Sequence, residues 1–286
     1  MFQLSKMVSF FSVPKAFKGH IDVIQQNAIR SWLQILPPEN IFLMGDDEGV
    51  SDIAKAYQLQ YMANLKSHET YPVPLLSDIF KRAVEACQTP YLCYINTDII
   101  LMDDFVRGVE AVLSQKQNVM MVSSRYNMDI TQPITDMSRE VLSQLRTEAL
   151  TTGDMYPAGG TDFFLAPKSL FSNIPAFLLG RGYWDNWLMY WAKKSGAAVV
   201  DTTADIVAIH QNHDYSHIEG IVADRNSLEV VLKAEQGEYN FKIAGGKKTI
   251  LTNYDANYIL KNNVLYSFIN IMYWYRPIKA ILRRLL

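Results

Sequence analysis

Three short stretches of the sequence combine residue types that could carry chemistry. The stretch AIHQNHDYSH (208–217) holds three of the five histidines in the chain, and INTD (95–98) ends a very apolar run with an acid. The stretch GYWDNW (182–187) places another acid between tryptophans. Histidine nitrogens and carboxylate oxygens that converge can hold a divalent cation. An acid beside aromatic rings can take a proton from a sugar hydroxyl, so the three stretches could serve one site.

The histidine-rich stretch leaves three interpretations open. His210, His213 and His217 could be metal ligands, could line an anion-binding loop, or could belong to a polar turn without chemistry. Their spacing is not that of i, i+4 pairs throughout, and the chain has no HExxH motif. The apolar run AAVVDTTADIVAI (197–209) leads into the stretch, so we expect the histidines in a loop at the end of a strand.

Composition and charge bound the class of protein. The chain has 286 residues, 49% hydrophobic and 20% charged, which is typical of one large globular domain or one domain plus an appendage. The formal net charge of -2 offers no basic field, so we expect no nucleic-acid partner. Two cysteines, Cys87 and Cys93, fit neither a disulfide framework nor a zinc motif and favour a reducing compartment. The start is a poor secretory signal and no apolar run reaches the roughly 18 residues of a spanning helix, so we expect a cytoplasmic protein.

Apolar runs alternate with segments of helical periodicity along the first half of the chain. The predicted strands are 7–13, 40–45, 91–96 and 118–124. The predicted helices are 20–36, 50–60 with a cap at Ser51 or Asp52, 75–88 and 103–115. This order predicts a mostly parallel sheet covered by helices on both faces. Ligands bind beyond the carboxyl ends of such strands, where the sequence has Ser12, Asp46, Asn96 and Asp98.

Each of these acids also has an interpretation without chemistry. Asp46 could belong to a turn and helix cap, and Asn96 and Asp98 could simply end a strand. If that strand continues, their spacing of two places both side chains on one side of it. Asp162, in GGTDFFLAPKSLF (159–171), could orient sugar hydroxyls or precede a bulged edge strand. Asp185 could stabilise the start of its helix or act as a catalytic base.

In their order along the chain, these stretches resemble the nucleotide-sugar glycosyltransferases of the GT-A fold. IFLMGDDEGVSD (41–52) resembles the second strand and acidic turn of the family-2-like members, and CYINTDIILMDDF (93–105) resembles the strand that carries their DxD motif. GRGYWDNWLMYWA (180–192), followed by HQNHDYSH (210–217), resembles a bacterial and plant branch of these enzymes. The resemblance covers roughly residues 7–217.

The resemblance implies a fold and a reaction. The fold is a Rossmann-like α/β domain over residues 1–220, with a mostly parallel sheet flanked by helices and a C-terminal helical appendage over 221–286. The reaction moves a sugar from a nucleotide-diphosphate sugar donor to a hydroxyl of a glycan or lipid-linked acceptor in glycan or polysaccharide synthesis. It depends on Mn²⁺ or Mg²⁺ and inverts the anomeric centre.

The resemblance also implies a role for each site residue. Asp98 matches the last acid of DxD and would bind the metal with the diphosphate, while Asn96 replaces the first acid and would touch ribose or metal as a neutral ligand. His210 or His213 would complete the metal or pyrophosphate site. Asp46 would contact the base or ribose, with Ser12 as a weaker candidate.

The same comparison with the family provides the acceptor side of the site. Asp185 matches the acid that removes the acceptor proton. Asp162 matches a position at the boundary between acceptor and donor sugar, and Trp184 would add aromatic surface for a sugar ring. A degenerate transferase subunit that binds nucleotide or glycan without catalysis stays open, because Asn96 departs from the motif. A sugar-1-phosphate nucleotidyltransferase would need a glycine-rich basic loop, which FSVPKAFKGH (11–20) does not resemble.

The end of the chain, VLYSFINIMYWYRPIKAILRRLL (264–286), mixes aromatic residues with basic ones. This composition suits the surface of a membrane with anionic lipid, a packed terminal helix, or a partner-binding surface. Membrane attachment would make the protein peripheral on the inner face of the cytoplasmic membrane, close to a lipid-linked acceptor.

Overall fold

The computed structural model describes residues 3–156, 160–213 and 235–267. In this part of the chain the α-helices are α1 Leu4–Met7, α2 Gly19–Trp32, α3 Val50–Ala56, α4 Leu76–Ala86, α5 Asp103–Gln115, α6 Arg139–Thr152, α7 Trp184–Lys194 and α8 Glu235–Ala244. The strands are β1 Val8–Ser12, β2 Ile41–Met44, β3 Gln60–Met62, β4 Tyr91–Ile95, β5 Ile99–Ile100, β6 Val119–Val122, β7 Arg125–Met128, β8 Asp154–Met155, β9 Phe163–Pro167, β10 Ala198–Asp201, β11 Ala208–Gln211, β12 Tyr258–Lys261 and β13 Val264–Ser267.

The main sheet has nine strands in the order β13-β12-β10-β6-β9-β4-β1-β2-β3. Most neighbours are parallel, so the prediction of a mostly parallel sheet in an α/β fold is confirmed. β9 is the exception inside the sheet, because it runs antiparallel between β4 and β6. The alternative of an edge strand after Asp162 is therefore wrong. This reversal brings the start of β9 to the carboxyl end of β4, where Phe163 lies opposite Ile95.

Helices cover both faces of the main sheet, and strand residues alternate between two hydrophobic cores. In β4, Cys93 and Ile95 pack with residues of α2, α3 and α5, whereas Leu92 and Tyr94 pack with residues of α4 and α7. The alternation follows from the period of two in an extended chain. All residues of β1, β2, β4 and β6 are buried, and burial on both faces explains why their sequences are continuous apolar runs.

The helix predicted at 50–60 differs from α3 at both ends. α3 begins at Val50 after Gly49, which has a φ of 86°, so the cap predicted at Ser51 or Asp52 is wrong. A Cβ atom at Gly49 would also come within 2.9 Å of Phe17, a contact that glycine avoids. The helix ends before residue 60 because the chain turns there into β3.

A second sheet has the order β5-β11-β7-β8. β11 pairs antiparallel with β5 and parallel with β7. The apolar run at 197–209 is therefore divided between β10 of the main sheet and β11 of this one, with a turn between them. His210 consequently lies inside β11, so its predicted position in a loop is wrong. His217 lies outside the described residues.

The described part of the C-terminal extension packs against the main sheet. α8 contributes Ala244 to the core that contains α4 and α7, and β12 pairs in parallel with β10. Two strands thus accompany the helix in this region, which the sequence did not predict. The domain boundary at 220 stays a prediction, and residues 268–286, which carry most of the expected membrane-interface segment, lie outside the described residues. Among the described residues, no helix combines the length and apolar character needed to cross a membrane.

Candidate active site

A cavity of about 410 Å³ lies at the carboxyl ends of β1 and β4 and gathers most of the predicted site residues. Its lining includes Asn96, Asp98, Asp162, Trp184, Asp185, His210 and His213. The buried ring of Tyr94 also lines it. Burial raises the pKa of Tyr94, and the charges of Asp98, Asp162 and Asp185 raise it further.

Asp98, His210 and His213 form the one group of three or more acids, cysteines and histidines in the described chain whose geometry could hold a metal ion. One ligand atom from each lies within 4.8 Å of the others. Oδ2 of Asp98 is 3.1 Å from Nε2 of His213 and 3.7 Å from Nε2 of His210. Oδ1 of Asp98 is buried and has no hydrogen-bond partner among the described residues. A buried carboxylate oxygen without a partner is unfavourable, so the group fits a bound cation.

The backbone around Asp98 is held by a buried glutamine. Gln211 donates from its backbone N to the carbonyl of Asp98 at 3.2 Å. Its side-chain Nε2 donates to the same carbonyl at 3.1 Å and to the carbonyl of Ile24 at 2.7 Å. Because Gln211 follows His210 directly, these bonds fix the separation between two of the candidate ligands.

The strand does not continue through Asn96 and Asp98, so the condition under which their side chains would share one side is not met. β4 ends at Ile95, and the next three residues turn into β5, with Ile99 N donating to the carbonyl of Asn96 at 3.2 Å. The turn points the two side chains at different partners. Asp98 contacts the histidines, whereas Nδ2 of Asn96 donates to Oδ1 of Asp162 at 2.7 Å.

Burial and the charges of neighbouring side chains set the protonation of the candidate ligands. It lowers the pKa of His210 to about 4, so the ring is neutral near pH 7 and has a lone pair to offer a cation. Burial alone would raise the pKa of Asp98, but the His210 and His213 rings outweigh it and hold that pKa below its usual range. Although the His210 ring is neutral near pH 7, it is protonated in the acid range where Asp98 takes up its proton. Its positive charge therefore lowers the pKa of Asp98.

The buried carboxylate of Asp162, in the cavity lining, accepts hydrogen bonds from two side chains. Besides Asn96, it accepts a hydrogen bond at 2.7 Å from Arg125, whose guanidinium also lies 4.9 Å from the centre of the Tyr156 ring. The carboxylate of Asp162 is thus compensated by a cation and an amide. Asn96 has a structural explanation at this position, because an acid there would face Asp162 at hydrogen-bond distance.

Asp185 lies in the first turn of α7 and differs from the other acids of the cavity. The helix begins after Tyr183, which takes a φ of 78° that is rare for a residue with a side chain. Oδ1 of Asp185 is buried without a hydrogen-bond partner among the described residues. Burial, followed by the charge of Asp162, raises the pKa of Asp185 to about 6, despite opposing hydrogen bonds from the helix start and the charge of Arg125. A carboxyl with this pKa can accept a proton near neutral pH.

The tryptophans of α7 are mainly core residues. Trp184 is only 7% exposed and contacts the rings of Tyr94 and Phe164 at 5.1 and 5.8 Å between centroids. Trp187 stacks on Trp191 at 5.5 Å. Only a small part of Trp184 therefore faces the cavity.

Ser12 and Asp46 are absent from the cavity lining. The hydroxyl of buried Ser12 donates to the carbonyl of Ile95 at 2.6 Å and lies 2.6 Å from Oγ1 of Thr97, so it braces the turn before Asp98. Asp46 is exposed and accepts from the backbone N of Asn64 at 2.6 Å, while its neighbour Asp47 lines the cavity. The binding roles of Ser12 and Asp46 stay predictions.

Three cationic residues of the lining, Lys15, Arg125 and Arg181, have no predicted role. Lys15 and Arg125 come shortly after predicted strands, which was the available signal. The backbone of Lys15 is held by Gln25, which accepts from its N at 2.7 Å and donates to its carbonyl at 2.9 Å. Arg181 lies between two glycines, a pattern that does not reveal on its own where the side chain points.

No family model and no curated protein matches the chain. Among solved structures, it is similar to glucosyl-3-phosphoglycerate synthase from Mycobacterium tuberculosis in complex with Mn²⁺, UDP-glucose and phosphoglyceric acid, at 14% identity over 86% of this chain and 82% of that chain, with a TM-score of 0.48. It is also similar to S. aureus TarS in complex with UDP-GlcNAc, at 10% identity over 83% of this chain and 70% of that chain, with a TM-score of 0.49. Values of this size define neither a family nor a residue-by-residue correspondence.

Proposed function

We propose that the protein is a metal-dependent glycosyltransferase that uses a nucleotide-diphosphate sugar as donor. One observation carries the proposal: a possible cation-binding group and a carboxyl with a raised pKa line the same cavity at the carboxyl ends of parallel strands. Sugar transfer from such a donor needs positive charge near the departing diphosphate and a base near the attacking hydroxyl. The cavity has a separate group for each need.

In the cavity lining, Asp98, His210 and His213 would hold Mn²⁺ or Mg²⁺. The ion would neutralise charge on the nucleoside diphosphate as it leaves. Lys15, whose charge also acts on Asp98, is suited to a phosphate oxygen of the same group. The neighbouring Asp47, Asp46 and Ser12 are the candidates for the ribose and base.

Asp185, in the same lining, would act as general base. The acceptor hydroxyl gives its proton to the Asp185 carboxylate while its oxygen forms a bond to the anomeric carbon. The bond from that carbon to the phosphate oxygen breaks, and the electron pair leaves with the nucleoside diphosphate. Attack from the side opposite the leaving group inverts the anomeric centre. Asp162 and the exposed edge of Trp184 would contact the transferred sugar.

A nucleotide-binding protein without catalysis is the second candidate. It is favoured by the bond between Asn96 and Asp162, which leaves Asp98 as the single acid of the motif beside the histidines. In that case the protein would turn over no donor, and Asp185 would have no acceptor proton to remove.

A thermal-shift panel tests the proposed function. UDP-, GDP-, dTDP- and CMP-sugars are each added with Mn²⁺, Mg²⁺ or a chelator, because a ligand that binds only the folded state raises the melting temperature. We expect one nucleotide class to stabilise the protein, and we expect the shift to vanish with chelator and in Asp98→Ala. The exposed-site variant Asp52→Asn, on α3, serves as control. No shift with any donor would contradict the proposal, and a shift that is unaffected by chelator would remove the metal from it.

A further inference from the structure

The loop before α7 brings Arg181 to the cavity wall, four residues ahead of Asp185 in the chain. Leu179, Gly180 and Gly182 line the cavity beside it. Arg181 therefore belongs to the segment of the cavity wall that leads directly into the helix start of the candidate base.

The backbone of this loop is fixed by one fully buried side chain of α8. Nδ2 of Asn240 donates to the carbonyls of Arg181 and Gly182 at 2.7 and 3.2 Å, and to that of Leu178 at 3.0 Å. Oδ1 of Asn240 accepts from the backbone N of Leu178 at 2.8 Å. Four hydrogen bonds with a residue that has no solvent exposure tie the backbone of the loop to α8.

The guanidinium of Arg181 is oriented by Gln236, one turn before Asn240 in α8. Oε1 of Gln236 accepts from Nε of Arg181, and Gln236 lies four residues before Asn240, so both side chains are on one face of α8. Within the described part of the chain, the terminal nitrogens of Arg181 make one hydrogen bond, a long one of 3.4 Å from Nη1 to the carbonyl of Gly180. The forked end of the guanidinium is left for a planar or multidentate anion.

The charge of Arg181 is not compensated by a carboxylate anywhere in the described chain. Two other partly buried arginines are paired with acids, Arg125 with Asp162 and Arg146 with Asp104, at 2.7 and 2.9 Å, whereas in the described chain the partly buried Arg30 bonds to uncharged groups. Arg181 is also partly buried, and burial lowers its pKa, which is the response of a cation that has lost water without gaining an anion. An arginine keeps its charge under these conditions, so the site favours an anionic ligand.

We propose that Arg181 binds a phosphate or carboxylate group of the acceptor, so that the enzyme glycosylates hydroxyls of anionic acceptors. The inference rests on the proposed transferase function and adds the class of acceptor to it. Gln236 and Asn240 act as positioning residues, because they hold the guanidinium and the loop without lining the cavity.

Calorimetry with matched small probes tests this inference. Glycerol phosphate, glycerate and glycerol each carry a hydroxyl and differ in charge, and each is titrated into protein saturated with Mn²⁺ and UDP so that the diphosphate site is filled. We expect both or one of the anions to bind and glycerol not to bind. Arg181→Met should lower the affinity for whichever anion binds by about tenfold or more, which is the contribution of a charge-assisted hydrogen bond. Arg181→Lys should restore part of this affinity.

Two further variants separate positioning from folding. Gln236→Leu keeps Arg181 and should weaken the anion by a smaller factor, while Arg107→Met, at an exposed arginine of α5, should leave it unchanged. Melting curves show whether each variant is folded. Equal anion affinity in wild type and Arg181→Met, or no anion binding by wild type, would overturn the inference.

The donor site provides the remaining control. Binding of UDP with Mn²⁺ should be the same in wild type and Arg181→Met. A loss of UDP affinity in that variant would assign Arg181 to the donor diphosphate and contradict the acceptor role. If UDP fails to bind wild type but the anions bind through Arg181, the proposed donor chemistry fails while the anion site stands.

Discussion

Asp98 and Asp185 line one cavity and carry the same side chain, but their surroundings move their pKa values in opposite directions. Asp98 is next to two imidazole rings and Lys15, and its pKa lies below the usual range. Asp185 is buried at the start of a helix, and burial raises its pKa to about 6 despite the opposing charge of Arg125. The first therefore stays ionised at any physiological pH, whereas the second can gain and lose a proton.

The difference shows how one residue type can serve two chemical roles within a single cavity. A permanently ionised carboxylate is suited to be a cation ligand, and a carboxylate with a pKa near the working pH is suited to be a base. Both carboxyls line the same cavity, so the assignment depends on the neighbours that each one has.

The largest expected effect comes from removing the base. We expect Asp185→Asn to lower turnover by ~10²–10⁴-fold, because the amide cannot accept the acceptor proton. Binding of the nucleotide with Mn²⁺ should stay within a factor of two, measured by calorimetry. In wild type, turnover should fall as the pH drops below about 6, where Asp185 takes up a proton, and not at the pH near 3.8 of an unperturbed aspartate.

The comparison with Asp98 sharpens this result. Asp98→Asn should abolish Mn²⁺ binding, while Asp185→Asn should not affect it. Release of nucleoside diphosphate from the stabilising donor provides the readout of turnover, with Asp52→Asn as the control. Unchanged turnover in Asp185→Asn, or a pH profile without a break near 6, would remove the role of base from this residue.

The second effect concerns the choice of cation. We expect Mn²⁺ to bind about tenfold or more tightly than Mg²⁺, because two of the three candidate ligands are imidazole nitrogens and Mg²⁺ prefers oxygen. His210→Gln should weaken Mn²⁺ more than Mg²⁺ and so narrow the preference. Calorimetry on chelator-treated protein measures both constants.

His68→Gln is the matched control for the histidine. His68 lies outside the cavity lining, and its Nδ1 accepts from the backbone N of Thr70 and Tyr71. We expect no change in the affinity for either ion. Equal affinities of wild type for Mn²⁺ and Mg²⁺ would mean that the histidines do not ligate the ion.

The smallest expected effect restores the acid that the motif lacks. We expect Asn96→Asp to destabilise the fold by about 2 kcal/mol, because a carboxylate would replace the donor 2.7 Å from Oδ1 of Asp162. Urea unfolding near pH 7 measures the change. Asn118→Asp, where an exposed amide donates to the carbonyl of Gly196, should change stability far less. Unchanged stability together with tighter Mn²⁺ binding would show that position 96 faces the cation.

Much of the fold was predictable because burial on both faces leaves a simple pattern. β1, β2, β4 and β6 are continuous apolar runs that end in polar residues, and the strand-end rule then places Asn96 and Asp98 at one edge of the sheet. β12 was missed because YILK has no strong period, and its place beside β10 depends on the chain returning from residue 235 onward. The edge strand left open as an alternative for β9 is wrong, and the sequence did not exclude it because direction and neighbours in a sheet are not local properties.

Several residues of the site were predicted through the resemblance to GT-A glycosyltransferases. Asp98, Asp185, His210 and His213 line one cavity, as that resemblance implied. Arg181 was not predicted, because the side chains that hold its guanidinium and its backbone, Gln236 and Asn240, are more than fifty residues later in the chain.

The sequence by itself determined the alternation of strands and helices and the positions where acids follow strands, since both depend on the period of side chains along a short segment. Only the tertiary structure decided which acid faces the histidines, which one is bound by Asn96 and Arg125, and which one has a pKa raised to about 6 by burial. These outcomes depend on desolvation and on contacts between distant segments, which set the charge of each group and leave no trace in local spacing.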